Sequence, residues 1–207
     1  IPAPSHAALS DGLVGYWTFD GKNTNWTSAT AGTTNDVSGN GYGGTMSNLR
    51  RNTTPTVGKV GQGFYYDGTQ TSIVSISGTL DIPTLPFTMT TWIKPTSRAD
   101  YRAIFSKRTG GGSANARFDV GLNITDGRVY VYTGGALPLF TFAPPLNSWT
   151  HIAVIADTGS TKLFVNGVLS ETIGAITLVL NSTATVGIGN TTDNDDPFAG
   201  YIDDVRL

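Results

Sequence analysis

No cysteine occurs in the 207 residues, which excludes disulfides and thiolate chemistry. Glutamate is nearly as scarce: fourteen of the fifteen acidic residues are Asp, and Glu171 stands alone. Charged residues make up only 14% of the chain and the formal net charge is -2, so nothing suits a nucleic-acid backbone or an acidic membrane surface. No apolar run approaches the roughly 20 residues of a membrane helix, and no membrane insertion is expected. The N-terminus lacks the charged start and apolar run of a signal peptide, consistent with a leader already removed. Strong helix formers are few, and no stretch keeps a 3.6-residue amphipathic period for three turns.

What the chain has instead is Gly, Thr, Val and Ile in short alternating runs. Phe118, Val120, Leu122 and Ile124 alternate with Arg117, Asp119, Gly121 and Asn123, which is the pattern of a half-buried strand. Asp126-Gly127 then leads into Arg128 to Tyr132, and Asn166-Gly167 joins Lys162–Val165 to Val168–Thr172. Both dipeptides predict two-residue hairpins. Further strands are expected over 13–19, 63–67, 72–76, 87–94, 103–107, 150–156, 184–188 and 201–207, with 22–44 as a long surface loop. Ten or more short antiparallel strands predict an all-β, two-sheet sandwich. Residues 1–10, with Pro2 and Pro4, read as a linker or tail, and 11–207 as one domain of a larger multi-domain chain.

Six ordered segments carry a family resemblance: Gly15-Tyr16-Trp17-Thr18-Phe19-Asp20, Asp36-Val37-Ser38-Gly39-Asn40-Gly41, Thr91-Trp92-Ile93-Lys94-Pro95, Trp149-Thr150-His151-Ile152-Ala153-Val154, Leu163-Phe164-Val165-Asn166-Gly167, and Gly200-Tyr201-Ile202-Asp203-Asp204-Val205-Arg206. In this order they resemble the laminin G-like, concanavalin A-like antiparallel jelly roll. The resemblance implies two curved sheets with neighbouring N- and C-terminal strands, in an extracellular or cell-surface protein. It leaves function open among lectins, adhesion domains, glycosidases and spacers.

The resemblance also implies a structural calcium ion held by Asp20, Asp36, Asn40 and Asp203. Calcium takes several oxygen ligands, and adjacent terminal strands would bring these groups together. Ordinary turn chemistry of Asp and Asn is the competing reading. Asp193 to Asp196 and Asp119 are read as solvated charge. Jelly-roll glucanases typically carry Glu-x-Asp-x-x-Glu on one strand. That motif is absent, so the domain is expected not to be an enzyme. Trp17, Trp92 and Trp149 are expected in the core, and His151 in the core or on a sheet face. Trp26, among polar residues, and Tyr101 with Arg102 are the candidate ligand contacts. The function expected is calcium-stabilised recognition of a glycan. The alternative is a structural or adhesive domain that contacts an extracellular protein.

Overall fold

Along Phe87–Pro95 every second residue from Met89 is buried and its neighbours are half-exposed, because successive side chains of a strand leave opposite faces. The same alternation organises the chain. The computed structural model describes residues 11–78, 80, 85–99, 102–108, 116–133, 136–177 and 183–207. Among these residues sixteen strands are present. They are β1 (Tyr16–Trp17), β2 (Thr24–Trp26), β3 (Ala31–Thr34), β4 (Gly44–Ser47), β5 (Pro55–Val57), β6 (Gln62–Asp67), β7 (Ile73–Ile76), β8 (Phe87–Pro95), β9 (Arg102–Arg108), β10 (Ala116–Leu122), β11 (Val129–Tyr132), β12 (Thr150–Ala156), β13 (Ser160–Val165), β14 (Val168–Gly174), β15 (Thr185–Ile188) and β16 (Ala199–Arg206).

Two antiparallel sheets form a sandwich. One runs β14-β13-β12-β8-β16-β6-β5, with β1 also on β16, and the other runs β11-β10-β9-β15-β7-β4-β3-β2. The expected neighbouring of the two ends of the domain is observed: Tyr16 pairs with Arg206 and Trp17 with Val205. The core between the sheets includes Trp17, Phe64, Met89, Ile93, Ile152 and Ile202 from the first sheet and Met46, Val74, Phe105, Val120 and Val186 from the second. Trp17 is fully buried and its indole N–H donates to the Tyr42 carbonyl at 2.8 Å, so the ring enters the core with no unpaired donor.

The segment 22–44 is not one long loop. Its Thr- and Asn-rich stretches form β2 and β3 at the edge of the second sheet, where Gly32 lets the Asn25 carbonyl and the Met46 side chain approach. Asn166-Gly167 makes the expected tight hairpin, both residues having positive φ (50° and 83°). Asp126-Gly127 does not. Only Gly127 has positive φ, and the turn is widened, with Asn123 N–H donating to the Arg128 carbonyl and Gly127 N–H to the Asn123 carbonyl.

β9 is buried on both faces because residues 190–198 fold over the outer side of its sheet. There Arg108 lies 2.6 Å from Asp119 and 2.7 Å from Asp196, with Asp193 at 3.9 Å. Asp119 is fully buried, and burial pushes its carboxyl up to about 6 against the pull of Arg108. The expectation of solvated charge is therefore corrected at Asp119, Asp193 and Asp196, while Asp195 is exposed as expected. Arg108, on the strand paired with β10, draws in Asp119, and the fold brings Asp193 and Asp196 from far along the chain to the same guanidinium.

Candidate functional site

Trp92 and Trp149 are not core residues. Ile93 points inward on β8, so Trp92 and Lys94 project from the outer face of the first sheet, and antiparallel pairing repeats that parity on the neighbouring strands. His151 stands opposite Trp92, Tyr201 opposite Lys94, and Tyr65 opposite Tyr201. The rings pack side by side across the strands. Trp92 meets His151 edge-on at 5.1 Å between centroids, and Tyr201 lies 6.1 Å from Trp149 and 5.0 Å from Tyr65.

An open groove of ≈ 530 Å³ crosses this platform, lined by Trp92, Trp149, His151, Lys59, Asn166, Gly167, Asp204 and Arg206. The Asn166 side chain is fixed by accepting the His151 N–H at 3.0 Å, so the hairpin tip presents its amide at the rim. Burial holds the His151 imidazole below its ordinary range, against the pull of Asp204, which leaves it neutral near pH 7. Arg206 Nη2 donates to Asp204 at 2.8 Å and to the Tyr16 hydroxyl at 2.9 Å, and that hydroxyl donates to the other Asp204 oxygen. Rigid ring faces beside fixed amide, carboxylate and guanidinium groups can stack a sugar ring and bond its hydroxyls.

Beside the groove, the turn from Gly58 to Gln62 lies between two carboxylates. Asp203 Oδ2 accepts the N–H groups of Lys59 at 2.7 Å and Val60 at 2.8 Å, and Asp20 Oδ1 accepts that of Gln62 at 2.9 Å. Glycine is required in this cradle. A Cβ at Gly58 would lie 2.6 Å from Asp203 Oδ2, and one at Gly61 2.3 Å from Asp20 Oδ1. Asp203 is fully buried and its Oδ1 has no hydrogen-bond partner. Burial pushes its carboxyl up to about 6; the two N–H donors pull it down, and the charges of Asp204 and Asp20 push it further up. The pair thus offers a cation unspent oxygen and unbalanced negative charge. The same turn carries Lys59, whose ammonium lies 5.0 Å over the Trp92 ring, so the carboxylate pair and the groove share one loop.

Asp36 and Asn40 act elsewhere. Asp36 accepts from the N–H groups of Tyr16, Ser38 and Tyr42 and from the Ser38 hydroxyl. Burial raises its carboxyl, but these bonds outweigh burial and hold it below the usual range. Asn40 donates to the carbonyls of Leu13 and Val14. Both clamp the segment leading into β1. Among the described residues no three His, Cys, Asp or Glu side chains gather in a metal-sized cluster, so of the four expected ligands the fold brings together Asp20 and Asp203.

Of the expected ligand contacts, Trp26 sits half-buried on β2 with its ring tilted against Phe64 at 6.5 Å. Arg102 is buried and donates to the Pro197 carbonyl at 2.6 Å, and Tyr101 lies outside the described residues. The platform residues were open to discovery from sequence only through shared parity. Alternation shows that Trp92 and Lys94 share a face, but not that the face is the outer one.

No curated protein sequence matches the chain. Among solved structures, domain 4 of AbnA, an extracellular arabinanase of glycoside hydrolase family 43 from Geobacillus stearothermophilus, solved with arabinotriose, is similar at TM-score 0.69 and 19% identity over 94% of this chain and 90% of that one. The receptor-binding domain of botulinum neurotoxin D is similar at TM-score 0.63 and 14% identity; 96% of this chain aligns with 49% of that chain. The sialidase of Trypanosoma rangeli is similar at TM-score 0.60 and 14% identity, all of this chain aligning with 32% of that protein. At these identities the likenesses establish the fold. A family model described as the concanavalin A-like lectin/glucanases superfamily, of laminin G type, matches residues 67–207, and the chain belongs to that family.

Proposed function

We propose that this domain is a non-catalytic, calcium-stabilised carbohydrate-recognition module of an extracellular protein, and that it holds its glycan on the outer face of the first sheet. The observation that carries the reading is the aromatic platform of Trp92, Trp149, Tyr201 and Tyr65 with Asn166, His151 and Arg206 at its groove. Whole-domain likeness to an arabinanase domain solved with arabinotriose supports it. The absence of a paired-acid strand motif supports a role without catalysis. Glu171, the single Glu, is engaged by the N–H and hydroxyl of Thr141, and Asp119 is sealed beneath 190–198.

A glycan array probed with the isolated domain should show discrete positives. Trp149→Ala and Trp92→Ala should each weaken them roughly tenfold, a loss of about 1.4 kcal/mol, with the fold intact by circular dichroism. An array blank at high protein concentration overturns the carbohydrate reading in favour of an adhesive or spacing domain with protein partners.

Calcium would be held by Asp20 and Asp203 beside the Gly58–Gln62 turn, where its charge would offset the buried carboxylate. A ligand bound only to the folded state at a hundredfold excess over Kd stabilises by about 2.7 kcal/mol, roughly 5–10 °C in Tm for a chain of this size. Calcium is expected to raise Tm by that order relative to chelator. Asp203→Asn should abolish the shift while folding normally, since it removes a costly buried charge. Equal melting curves in calcium and chelator would sink the proposal.

A further inference from the structure

The outer face of the first sheet is charged unlike the rest of the molecule. The chain as a whole is net negative, yet Lys59, Lys94 and Arg206 stand on the platform, Arg50 lies beyond Tyr65 at its edge, and Arg51 lines the next groove with Arg50. The carboxylates among them are Asp204, bonded to Arg206, Asp67, 3.9 Å from Arg50, and Asp20 and Asp203, which accept backbone N–H groups of the turn that carries Lys59. Asp67 is already held by the Thr69 N–H and the hydroxyls of Thr69 and Ser72, which keep its carboxyl below the usual range although burial raises it. Five cations therefore face four carboxylates, each already accepting hydrogen bonds, which leaves an excess of positive charge on this face of a net negative chain.

Three cations sit on aromatic faces: Lys59 over Trp92 and Lys94 over Tyr201, each at 5.0 Å, and Arg206 over Tyr16 at 4.3 Å. A neutral sugar stacking on these rings would displace an ammonium and return it only neutral hydroxyl acceptors, about half as strong as a charged one. A sugar carrying an anionic group would pair with the displaced cation while its ring takes the aromatic face.

The track is also long. From β12 through β8 and β16 to β6 there are three inter-strand steps of about 4.8 Å, roughly 14 Å of platform. Beyond Tyr65 it opens into a second groove of ≈ 930 Å³, where Arg50, Arg51, Asn48, Asn52 and Thr69 supply polar groups and no aromatic ring lines the wall. That end suits charge and hydroxyl recognition.

Resting on the carbohydrate reading above, we infer that the ligand is an extended acidic polysaccharide, lying across the strands from the Trp92–Trp149 groove to the Arg50–Arg51 groove. Affinity electrophoresis of the domain tests this with two matched pairs: polygalacturonate against its fully methyl-esterified form, and dextran sulfate against dextran. Retardation is expected in the charged member of at least one pair, the pair showing whether carboxylate or sulfate is read. Arg50→Glu/Arg51→Glu should weaken it roughly tenfold, about 1.4 kcal/mol. Trp149→Ala should weaken it similarly, which simple ion exchange would not. Equal or stronger retardation by the uncharged member, or retention unchanged in the Arg50→Glu/Arg51→Glu variant, overturns the acidic ligand but leaves carbohydrate recognition standing. No retardation in any gel, joined to a blank glycan array, overturns both.

Discussion

Arg108→Met is expected to lower the stability of the domain by about 3–5 kcal/mol, because it strands a fully buried carboxylate without its cation. Against the roughly 5–15 kcal/mol that holds most domains folded, that is a large fraction. Arg108 does more than pair with Asp119. Its Nη2 reaches Asp196 at 2.7 Å, so it also pins 190–198 over the outer face of the second sheet, where the Asp196 carbonyl accepts the Ala103 N–H. Urea denaturation at pH 7 measures the loss directly.

The pH dependence of that loss identifies its cause. Burial raises the Asp119 carboxyl to about 6, whereas the unfolded chain titrates near the ordinary value of about 3.9. Between those values the folded state binds the proton more tightly, so this group adds stability as pH falls from about 7 toward 4 and withdraws it as pH rises through about 6. Without Arg108 the carboxyl rises further, and the deficit of Arg108→Met should shrink at pH 5. Asp119→Asn should lose less at pH 7, since its amide oxygen can still accept the Lys107 N–H. A deficit of the same size at pH 7 and pH 5 would mean that lost packing, not a stranded charge, is responsible. Glycan binding should survive in both variants below their melting range, because the network lies on the opposite sheet from the groove.

That opposition of faces also explains what sequence could and could not show. Period-two alternation places β8 and β12 to within a residue, since both bury one face against a strongly apolar core. The strands β2 and β3 escape because Thr, Asn and Gly give an edge strand no hydrophobic period, and the segment reads as loop. Trp92 and Trp149 mislead for a related reason. Parity groups residues by face, and large rings ordinarily mark the inner one, yet here the outer face carries rings as well. Asp20 and Asp203 come together because β1 pairs with β16, a neighbourhood the resemblance implied. The turn that completes their setting, Gly58 to Gln62, has no motif of its own. Only in three dimensions do its glycines acquire a reason, namely room for two carboxylates.

Gly189→Ala should cost about 2–5 kcal/mol, combining a left-handed backbone penalty of about 1–2 kcal/mol with overpacking of about 1–3 kcal/mol. Gly189 has φ +77°, and a Cβ there would lie 2.0 Å from Cε1 and 2.3 Å from Cδ1 of Tyr66. Neither side can yield easily. Tyr66 is fully buried and packs edge-on to Phe198 at 6.5 Å, while the Gly189 N–H is bonded to the Ile104 carbonyl and its carbonyl to the Phe198 N–H. Gly167→Ala is the matched comparison, with φ +83° and nothing within 4 Å of the added carbon, so it should show the backbone penalty alone. At roughly 2–4 °C per kcal/mol, thermal melting should separate the two variants clearly, and equal Tm losses would refute the packing argument. The consequence extends to the platform, because Tyr65 directly precedes Tyr66 on β6 and faces outward where Tyr66 faces in. If Tyr66 is displaced, Tyr65 moves with the strand, and Gly189→Ala should also weaken glycan retention at temperatures where Gly167→Ala leaves it intact.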